Sequence, residues 1–292
     1  MAEPPSNGAL ALDKPSGITS AGAVARVKRL LPKKSRIGHT GTLDPLASGL
    51  LVLMIGRATR LSRYVTDLDK SYTATARFGA TSDTLDADGE ITALNLPMPD
   101  ERSIREALPR FTGDLLQTPP MASAIKVGGE RLYNLHRRGI TVERESRPVK
   151  VTRFDLASLD PDRESATFEI RCSSGTYVRS LVSDLAASLE TGAYLTALRR
   201  TSVGNIHVES AISPDELTPE DIFNRIIPSG AVLDRLPVLE VGGESVAAIC
   251  NGRPLCPCGI EGSFRVESGG ELLAVYRGDG FEGRAEVVLC AP

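Results

Sequence analysis

The chain has 292 residues, a formal net charge of −3 and 41% hydrophobic residues. This length suits one large domain or a domain with a small appendage, and the apolar content suffices for a packed core. No apolar run approaches membrane-spanning length, and the first residues lack the basic start and apolar centre of a signal peptide. The composition therefore disfavours membrane and secreted proteins and predicts a cytoplasmic one.

Five cysteines are present, an odd number, and their positions match neither a zinc site nor a disulfide framework. The pair Cys256 and Cys258 lacks the two-residue gap of a zinc knuckle. We therefore predict reduced thiols. We also predict no metal site and no cofactor.

The N-terminal segment begins with a predicted disordered tail at residues 1–8. A short strand at residues 10–12 leads into a turn at residues 13–17. Ser20 is predicted to cap the helix that follows, which Pro32 ends.

Residues 36–49 then concentrate three glycines, a histidine, two threonines and the carboxylate of Asp44 ahead of an apolar run at residues 50–55. The proline after Asp44 favours an extended backbone at the aspartate. A carboxylate on such a stiffened loop, backed by a buried strand, suits a reactive group. The same Asp-Pro pair also occurs in ordinary turns.

The remaining elements are predicted from periodicity and capping residues. Tyr72, Ala74, Ala76 and Phe78 alternate with polar residues and indicate a strand with one buried face. The segment at residues 117–148 is irregular and basic. Other predicted elements are helices at residues 58–65, 100–109, 131–138 and 175–189, strands at residues 91–94, 149–156 and 166–172, and, from residue 236 onward, four short apolar runs typical of a small all-β module.

Basic residues are concentrated in two segments, although the net charge of the chain is negative. Between Arg26 and Arg63 the chain carries nine lysines and arginines and a single acid, Asp44. A second basic run lies between Arg131 and Arg153. Such runs are usually solvated faces, but the scarcity of acids around Asp44 favours an anionic partner.

The string Gly-His-Thr-Gly-Thr-Leu-Asp-Pro-Leu-Ala-Ser-Gly, residues 38–49, closely resembles the signature of the TruB-type bacterial tRNA pseudouridine synthases. These enzymes modify the uridine at position 55 in the T loop of tRNA. The resemblance implies an α+β pseudouridine synthase fold with a large mixed, mainly antiparallel sheet flanked by helices, plus a small C-terminal PUA-like module. It divides the chain into a catalytic domain at residues 9–230, with an RNA-gripping insertion near residues 117–148, and a C-terminal domain at residues 231–292.

The resemblance also assigns roles to individual residues. Asp44 takes the position of the catalytic aspartate. Four residues take supporting positions in the active site, namely Tyr72, Arg179, Tyr177 and His39, and four basic residues are expected at the RNA, namely Lys14, Lys126, Arg137 and Arg138. The implied partner is the T stem-loop of tRNA, bound by a monomer without any cofactor.

Several alternatives stay open at this point. Three roles are open for Asp44, namely attack on ribose C1′, attack on uracil C6 and removal of a ribose proton. Lys14 suits either an RNA phosphate or the capping of its own turn. A non-catalytic tRNA-binding or tRNA-folding protein is the competing function, and such a protein would have no use for a carboxylate amid positive charge.

Overall fold

The computed structural model describes residues 7–290. Within these residues the strands are β1 (Gly8–Lys14), β2 (Ile37–His39), β3 (Ser48–Ile55), β4 (Lys70–Phe78), β5 (Ala80–Ser82), β6 (Ile91–Ala93), β7 (Gly113–Gln117), β8 (Lys126–Val127), β9 (Glu130–Arg131), β10 (Arg147–Asp160), β11 (Ser165–Cys172), β12 (Ala193–Val203), β13 (Ile206–His207), β14 (Val238–Glu240), β15 (Glu261–Ser268), β16 (Glu271–Asp279) and β17 (Gly283–Val288). The α-helices are α1 (Ser20–Leu30), α2 (Ser62–Thr66), α3 (Glu101–Ala107), α4 (Leu132–Arg137), α5 (Val178–Ser188), α6 (Pro219–Asn224) and α7 (Gly243–Cys250). Short 3₁₀ helices cover Gly56–Leu61, Leu108–Phe111, Pro161–Arg163, Val208–Ser210 and Ala231–Leu233.

A nine-stranded sheet organises the larger part of the chain. Its strand order is β1-β3-β12-β4-β11-β10-β7, with β2 paired to β3 and β13 paired to β12. Strands β3 and β12 run parallel, and the other neighbours run antiparallel. The predicted mixed, mainly antiparallel sheet is confirmed.

Strand β3 lies at the centre of the core because both of its faces are buried. Leu51, Leu53 and Ile55 pack with α1 and α5 on one face. Leu50, Val52 and Met54 point to the opposite face and pack with residues of the C-terminal part, including Val275 and Val287. A strand covered on both sides needs a continuous apolar run, which explains the sequence of residues 50–55.

The C-terminal part forms a separate four-stranded sheet in the order β14-β15-β16-β17. It has its own small core around Phe264 and Tyr276. The sheet predicted for this region is confirmed, and α7, which the apolar runs did not indicate, packs against β16 and β17. Cys250 at the end of α7 is disulfide-bonded to Cys290. The prediction of five reduced thiols is therefore wrong for this pair, whose 40-residue separation gives no local signal.

Several boundaries differ from the predictions. Residues 1–6 of the expected tail lie outside the described residues, and Gly8 already belongs to β1. Thr19, not Ser20, caps α1, because the Thr19 side chain accepts the hydrogen bond from the Gly22 amide. No helix among residues 7–290 is long and apolar enough to cross a membrane.

Candidate active site

The loop between β2 and β3 carries Asp44. Hydrogen bonds hold it to the turn ahead of α1 and to the first residue of that helix. The Ser20 hydroxyl donates to the Leu43 carbonyl at 2.9 Å and accepts from the Leu43 amide at 2.8 Å. The Gly17 amide donates to the Pro45 carbonyl at 2.8 Å. Ser20 thus brackets the loop instead of capping the helix, and Asp44 sits on a backbone that is fixed on both sides.

Arg179, in the first turn of α5, connects Asp44 to two other parts of the chain. Its Nη2 lies 2.8 Å from Asp44 Oδ2, and its Nη1 lies 3.3 Å from Asp86 Oδ2. The guanidinium also donates to the Thr84 carbonyl at 2.6 Å and to the Ala122 carbonyl at 2.8 Å. Only 5% of the Arg179 side chain is exposed, against 41% of Asp44. Arg179 is therefore a fixed cation, and Asp44 presents its carboxylate to solvent.

A pocket of about 270 Å³ opens beside this ion pair. Its wall combines the Asp44 loop, strand β4, strand β12 and the segment that leads into α5. Lining residues include Asp44, Lys70, Tyr72, Tyr177, Leu198 and Arg200. A flat apolar surface thus lies next to a carboxylate and several cations.

Both tyrosines of the pocket are held in their protonated form. Burial raises the pKa of Tyr72, although the nearby Arg200 guanidinium opposes the shift. Burial also raises the pKa of Tyr177, which the nearby Ser123 side chain partly offsets. The Gln117 side chain fixes the Tyr177 backbone, accepting from its amide at 2.7 Å and donating to its carbonyl at 3.0 Å.

Two buried lysines lie at this site, Lys70 in the wall of the pocket and Lys14 near Asp44. Lys14 donates to the Pro15 and Ile18 carbonyls, so the structure favours the loop-capping alternative for this residue. Burial lowers the pKa of Lys14 to about 8, which the nearby Asp44 carboxylate opposes. Burial likewise lowers the pKa of Lys70 to about 8, and the Arg200 charge adds to that effect.

Arg200 owes its position to a close approach between β3 and β12. Its Nε donates to the Leu50 carbonyl at 2.7 Å, and its Nη2 donates to the Gly41 carbonyl at 3.1 Å. Gly49 lies beside it with a φ of +96°, and a Cβ atom there would come within 2.3 Å of the Arg200 carbonyl oxygen. Glycine is required at this position because any side chain would force the two strands apart.

His39 lies at the end of β2 and is partly buried. Its Nδ1 is buried and has no hydrogen-bond partner in the described part of the chain. Burial, with a smaller contribution from the Arg200 charge, lowers the pKa of His39, so the ring is neutral near neutral pH.

The segment at residues 117–148 folds over the same side of the molecule. It has a small core of its own, formed by Met121, Leu132 and Leu135. A second cleft, of about 630 Å³, separates it from the acidic turn that follows β5. Across this cleft His136 Nε2 lies 3.1 Å from Asp83 Oδ2. His136, which the sequence gave no reason to single out, thus joins this segment to the main body.

The basic residues predicted at the RNA all lie on this segment, apart from Lys14. Lys126 is exposed on β8. The Arg137 guanidinium lies 5.6 Å from the centre of the Tyr133 ring and lines the second cleft. Arg138 pairs with Glu130 at 2.7 Å.

The structure brings four of the sequence-predicted residues, Asp44, Tyr72, Tyr177 and Arg179, into one pocket. Sequence reasoning missed three neighbours, Lys70, Asp86 and Arg200. Lys70 lies two residues before Tyr72 on the same face of a period-two strand, which is the one local signal that would have found it. Asp86 and Arg200 come from segments far apart along the chain, so only the folded structure places them at the site.

Comparison with known proteins identifies the family. Residues 28–178 match the family model described as TruB family pseudouridylate synthase, N-terminal domain. A protein of Dechloromonas aromatica (strain RCB) named tRNA pseudouridine synthase B is 41% identical over 273 residues, covering 92% of this chain and 90% of that protein. A protein of the same name from Mycobacteroides abscessus is 39% identical over 295 residues, covering 99% of this chain and 98% of that protein.

Solved structures resemble the fold over nearly the whole chain. One chain of the archaeal box H/ACA sRNP Nop10-Cbf5 complex superposes with a TM-score of 0.74 at 24% identity, covering 98% of this chain and 87% of that one. A chain of a Cbf5-Nop10-Gar1 complex gives a TM-score of 0.73 at 24% identity, covering 97% of this chain and 85% of that one. These likenesses show the fold, and the family model with the sequence relatives shows the family. The chain belongs to the TruB family of pseudouridylate synthases.

Proposed function

We propose that this enzyme converts the uridine at position 55, in the T loop of tRNA, into pseudouridine, with Asp44 as the reactive carboxylate. The observation that carries the proposal is the position of Asp44. It is the exposed partner of a buried arginine, at the mouth of a pocket that Tyr72 and Leu198 line. Membership of the family and relatives named tRNA pseudouridine synthase B support the reaction and the substrate.

The reaction breaks the bond between ribose C1′ and uracil N1 and joins C1′ to C5 of the same base. A base inside folded RNA must first leave its stack to reach such a pocket. The extruded base then stacks on Tyr72, an interaction worth about 1–3 kcal/mol by analogy with single-strand binding proteins. Tyr177 forms the adjacent wall of the pocket. His39 fills the space that the base vacates in the RNA.

Arg179 is proposed as the residue that positions Asp44. Its four contacts hold the guanidinium in place, so the carboxylate meets a cation whose position does not change. A preorganised charge of this kind costs no rearrangement during the reaction. The buried Asp86 fixes the other side of the guanidinium.

We further propose that residues 117–148 grip the T stem-loop through Lys126, Arg137 and Arg138, while Lys14 supports the Asp44 loop from inside. In this account residues 9–230 form the catalytic domain and residues 231–292 form the PUA-like module. The enzyme acts as a monomer in the cytoplasm. The non-catalytic alternative is not favoured, because the family is one of pseudouridylate synthases.

The test is release of tritium from tRNA transcripts that carry uridine labelled at C5. Isomerisation replaces the hydrogen at C5 by the ribose, so each conversion releases one label. We expect wild type to release label from a normal transcript and to release none in excess of background when cytidine replaces the T-loop uridine. Equal release from both transcripts would contradict the assignment of the target, and tight binding without release would favour the non-catalytic alternative.

A further inference from the structure

Two buried cations, Lys70 on β4 and Arg200 on β12, lie side by side at the floor of the Asp44 pocket. Tyr72 pairs with Arg200 across the two strands, and Lys70 is two residues away on the same strand. Lys70 is 6% exposed and Arg200 is 1% exposed, yet both line the pocket. Both side chains therefore belong to the wall of the pocket and are shielded from bulk solvent.

Neither cation has a counter-ion within the described part of the chain. Lys70 Nζ donates to the Thr66 carbonyl at 2.6 Å and to the Leu68 carbonyl, and Arg200 donates to the carbonyls of Leu50 and Gly41. Across residues 7–290 no carboxylate lies within ion-pair distance of either group, whereas Arg179 on the far wall has two. The titratable groups that influence Lys70 are Arg200, Cys172, Asp67 and Asp69, and Arg200 has the largest effect among them.

Two like charges buried without an anion destabilise the folded protein, because each loses hydration and repels the other. Perturbed groups of this kind concentrate where a protein binds a charged species. A backbone phosphate is one such anion, but the same pocket presents Tyr72 and Leu198, which suit the face of a flat base. The arrangement therefore fits an anion that is also a planar heterocycle.

The proposed reaction generates that anion. When the bond between C1′ and N1 breaks, its electron pair stays on the base and Asp44 takes up C1′. The detached uracil then carries a negative charge shared between N1 and O2. After the base turns, the electrons of its C5–C6 double bond form the new bond to C1′ and release Asp44. C5 loses its proton and N1 gains one, so atoms and electrons balance without a co-reactant.

We propose that Lys70 and Arg200 form an anion subsite that binds the detached uracil base while it turns. The inference rests on the proposed function and extends it, because it names Lys70 and Arg200 as the groups that stabilise the negative charge on the base. Preorganised donors aimed at a developing charge commonly contribute about 10²–10³-fold to a rate. Asp44, positioned by Arg179, acts on the ribose, and Lys70 and Arg200 bind the base.

The test compares uridine with 5-fluorouridine at the target position of the tRNA, in single-turnover reactions of wild type and Lys70→Gln. Gln removes the charge but keeps an N–H group that can donate to the Thr66 and Leu68 carbonyls. Fluorine withdraws electrons and stabilises the anion of the detached base, so the substituted substrate depends less on Lys70. Disappearance of the N-glycoside is measured after nuclease digestion, with melting temperature and tRNA affinity recorded for each protein.

We expect Lys70→Gln to slow conversion of uridine by about 100-fold and conversion of 5-fluorouridine by about 10-fold or less, with tRNA affinity unchanged. Lys28→Gln, the same change at an exposed lysine of α1, should leave the ratio between the two substrates as in wild type. Equal losses on both substrates, or no loss, would overturn the anion subsite. Wild type that fails to convert uridine overturns the proposed function and this inference with it.

If Lys70→Gln does not fold, the pH dependence of wild type can still overturn the inference, although Lys14 also has a pKa of about 8. The dependence of kcat/KM on pH reports groups of the free enzyme. Because the pKa of Lys70 is about 8, its charge is lost above that pH, and kcat/KM for uridine should fall there. A value that stays constant from about pH 7 to about pH 8.5 would overturn the inference.

Discussion

Two partly buried carboxylates, Asp44 and Glu286, each face arginine but differ in how many donors they meet. Glu286 on β17 accepts from Tyr64 at 2.6 Å, from Ser263 at 3.1 Å and from Arg277 at 3.0 Å, and Arg63 Nη2 lies 3.3 Å away. Within residues 7–290, Asp44 has a single ion-pair partner, Arg179, at 2.8 Å.

The difference separates a structural carboxylate from a reactive one. Burial pushes the pKa of Glu286 upward, but hydrogen bonds from Tyr64, Arg277 and Ser263 outweigh it and leave the pKa below its ordinary value. Since these donors come from both the main body and the C-terminal sheet, Glu286 joins the two. Asp44 keeps one side of its carboxylate free and directs it into a pocket. A carboxylate that accepts several hydrogen bonds suits a structural role. A carboxylate with one side open to a pocket suits a chemical role.

The largest effect is expected from Asp44→Asn. The amide keeps the shape of the side chain but cannot act as a nucleophile or hold a negative charge. We expect the single-turnover rate with tRNA transcript to fall by about 10³-fold or more, with an unchanged melting temperature and unchanged tRNA affinity. An Asn variant that turns over within tenfold of wild type would remove Asp44 from the proposed role.

Arg179→Met should lower both activity and stability. It removes the one ion-pair partner that Asp44 has within residues 7–290 and does the same for Asp86, which is 5% exposed. Burial already raises the pKa of Asp86, and loss of Arg179 should raise it further. Breaking a buried pair in this way costs about 3–5 kcal/mol, measurable by urea unfolding.

The matched control for this substitution is the double variant Arg179→Met with Asp86→Asn, in which the unpaired buried carboxylate is also removed. Stability should recover toward wild type in the double variant, whereas activity should not. Recovery of activity as well would show that Arg179 acts only by holding the fold.

Much of this fold can be predicted from the sequence. The features that cannot be predicted depend on contacts between distant segments of the chain. Tyr72 and the apolar residues after it alternate with polar residues in a regular period of two, so its strand was predictable. The central strand β12 was not, because Arg199 and Arg200 interrupt its apolar pattern. The Arg200 charge is acceptable there only through carbonyls of two distant segments. Likewise the Cys250 to Cys290 bond depends on tertiary proximity that no local pattern records.

Glu286→Gln should lower the stability of the protein and leave its activity intact, which is the opposite of the result expected for Asp44→Asn. A neutral amide loses the ion pair with Arg63 and accepts a weaker hydrogen bond from Arg277, so we expect a loss of about 1–3 kcal/mol in the free energy of unfolding with kcat unchanged. Because the folded pKa of Glu286 lies below its unfolded value of 4.5, its contribution is present above that pH and is lost as the pH falls through the folded pKa. Acid titration of stability should therefore be shallower in the variant.

The smallest effect is a pH-dependent difference in stability between wild type and Lys70→Gln. The pKa of Lys70 is 10.5 in the unfolded chain and about 8 in the folded protein, so charging Lys70 penalises the fold fully below about pH 8. The penalty disappears as the pH rises toward 10.5. Wild type should gain about 1–3 kcal/mol relative to the variant across that window, measured by urea unfolding. A constant difference would contradict a buried, charged Lys70.

The most direct measurement places Asp44→Asn and Glu286→Gln side by side in the tritium-release and urea-unfolding assays. We expect a crossed result: Asp44→Asn keeps its stability and loses tritium release, whereas Glu286→Gln loses stability and keeps tritium release. If both variants lose activity in proportion to stability, or if Asp44→Asn still releases tritium at the wild-type rate, Asp44 is not the reactive carboxylate.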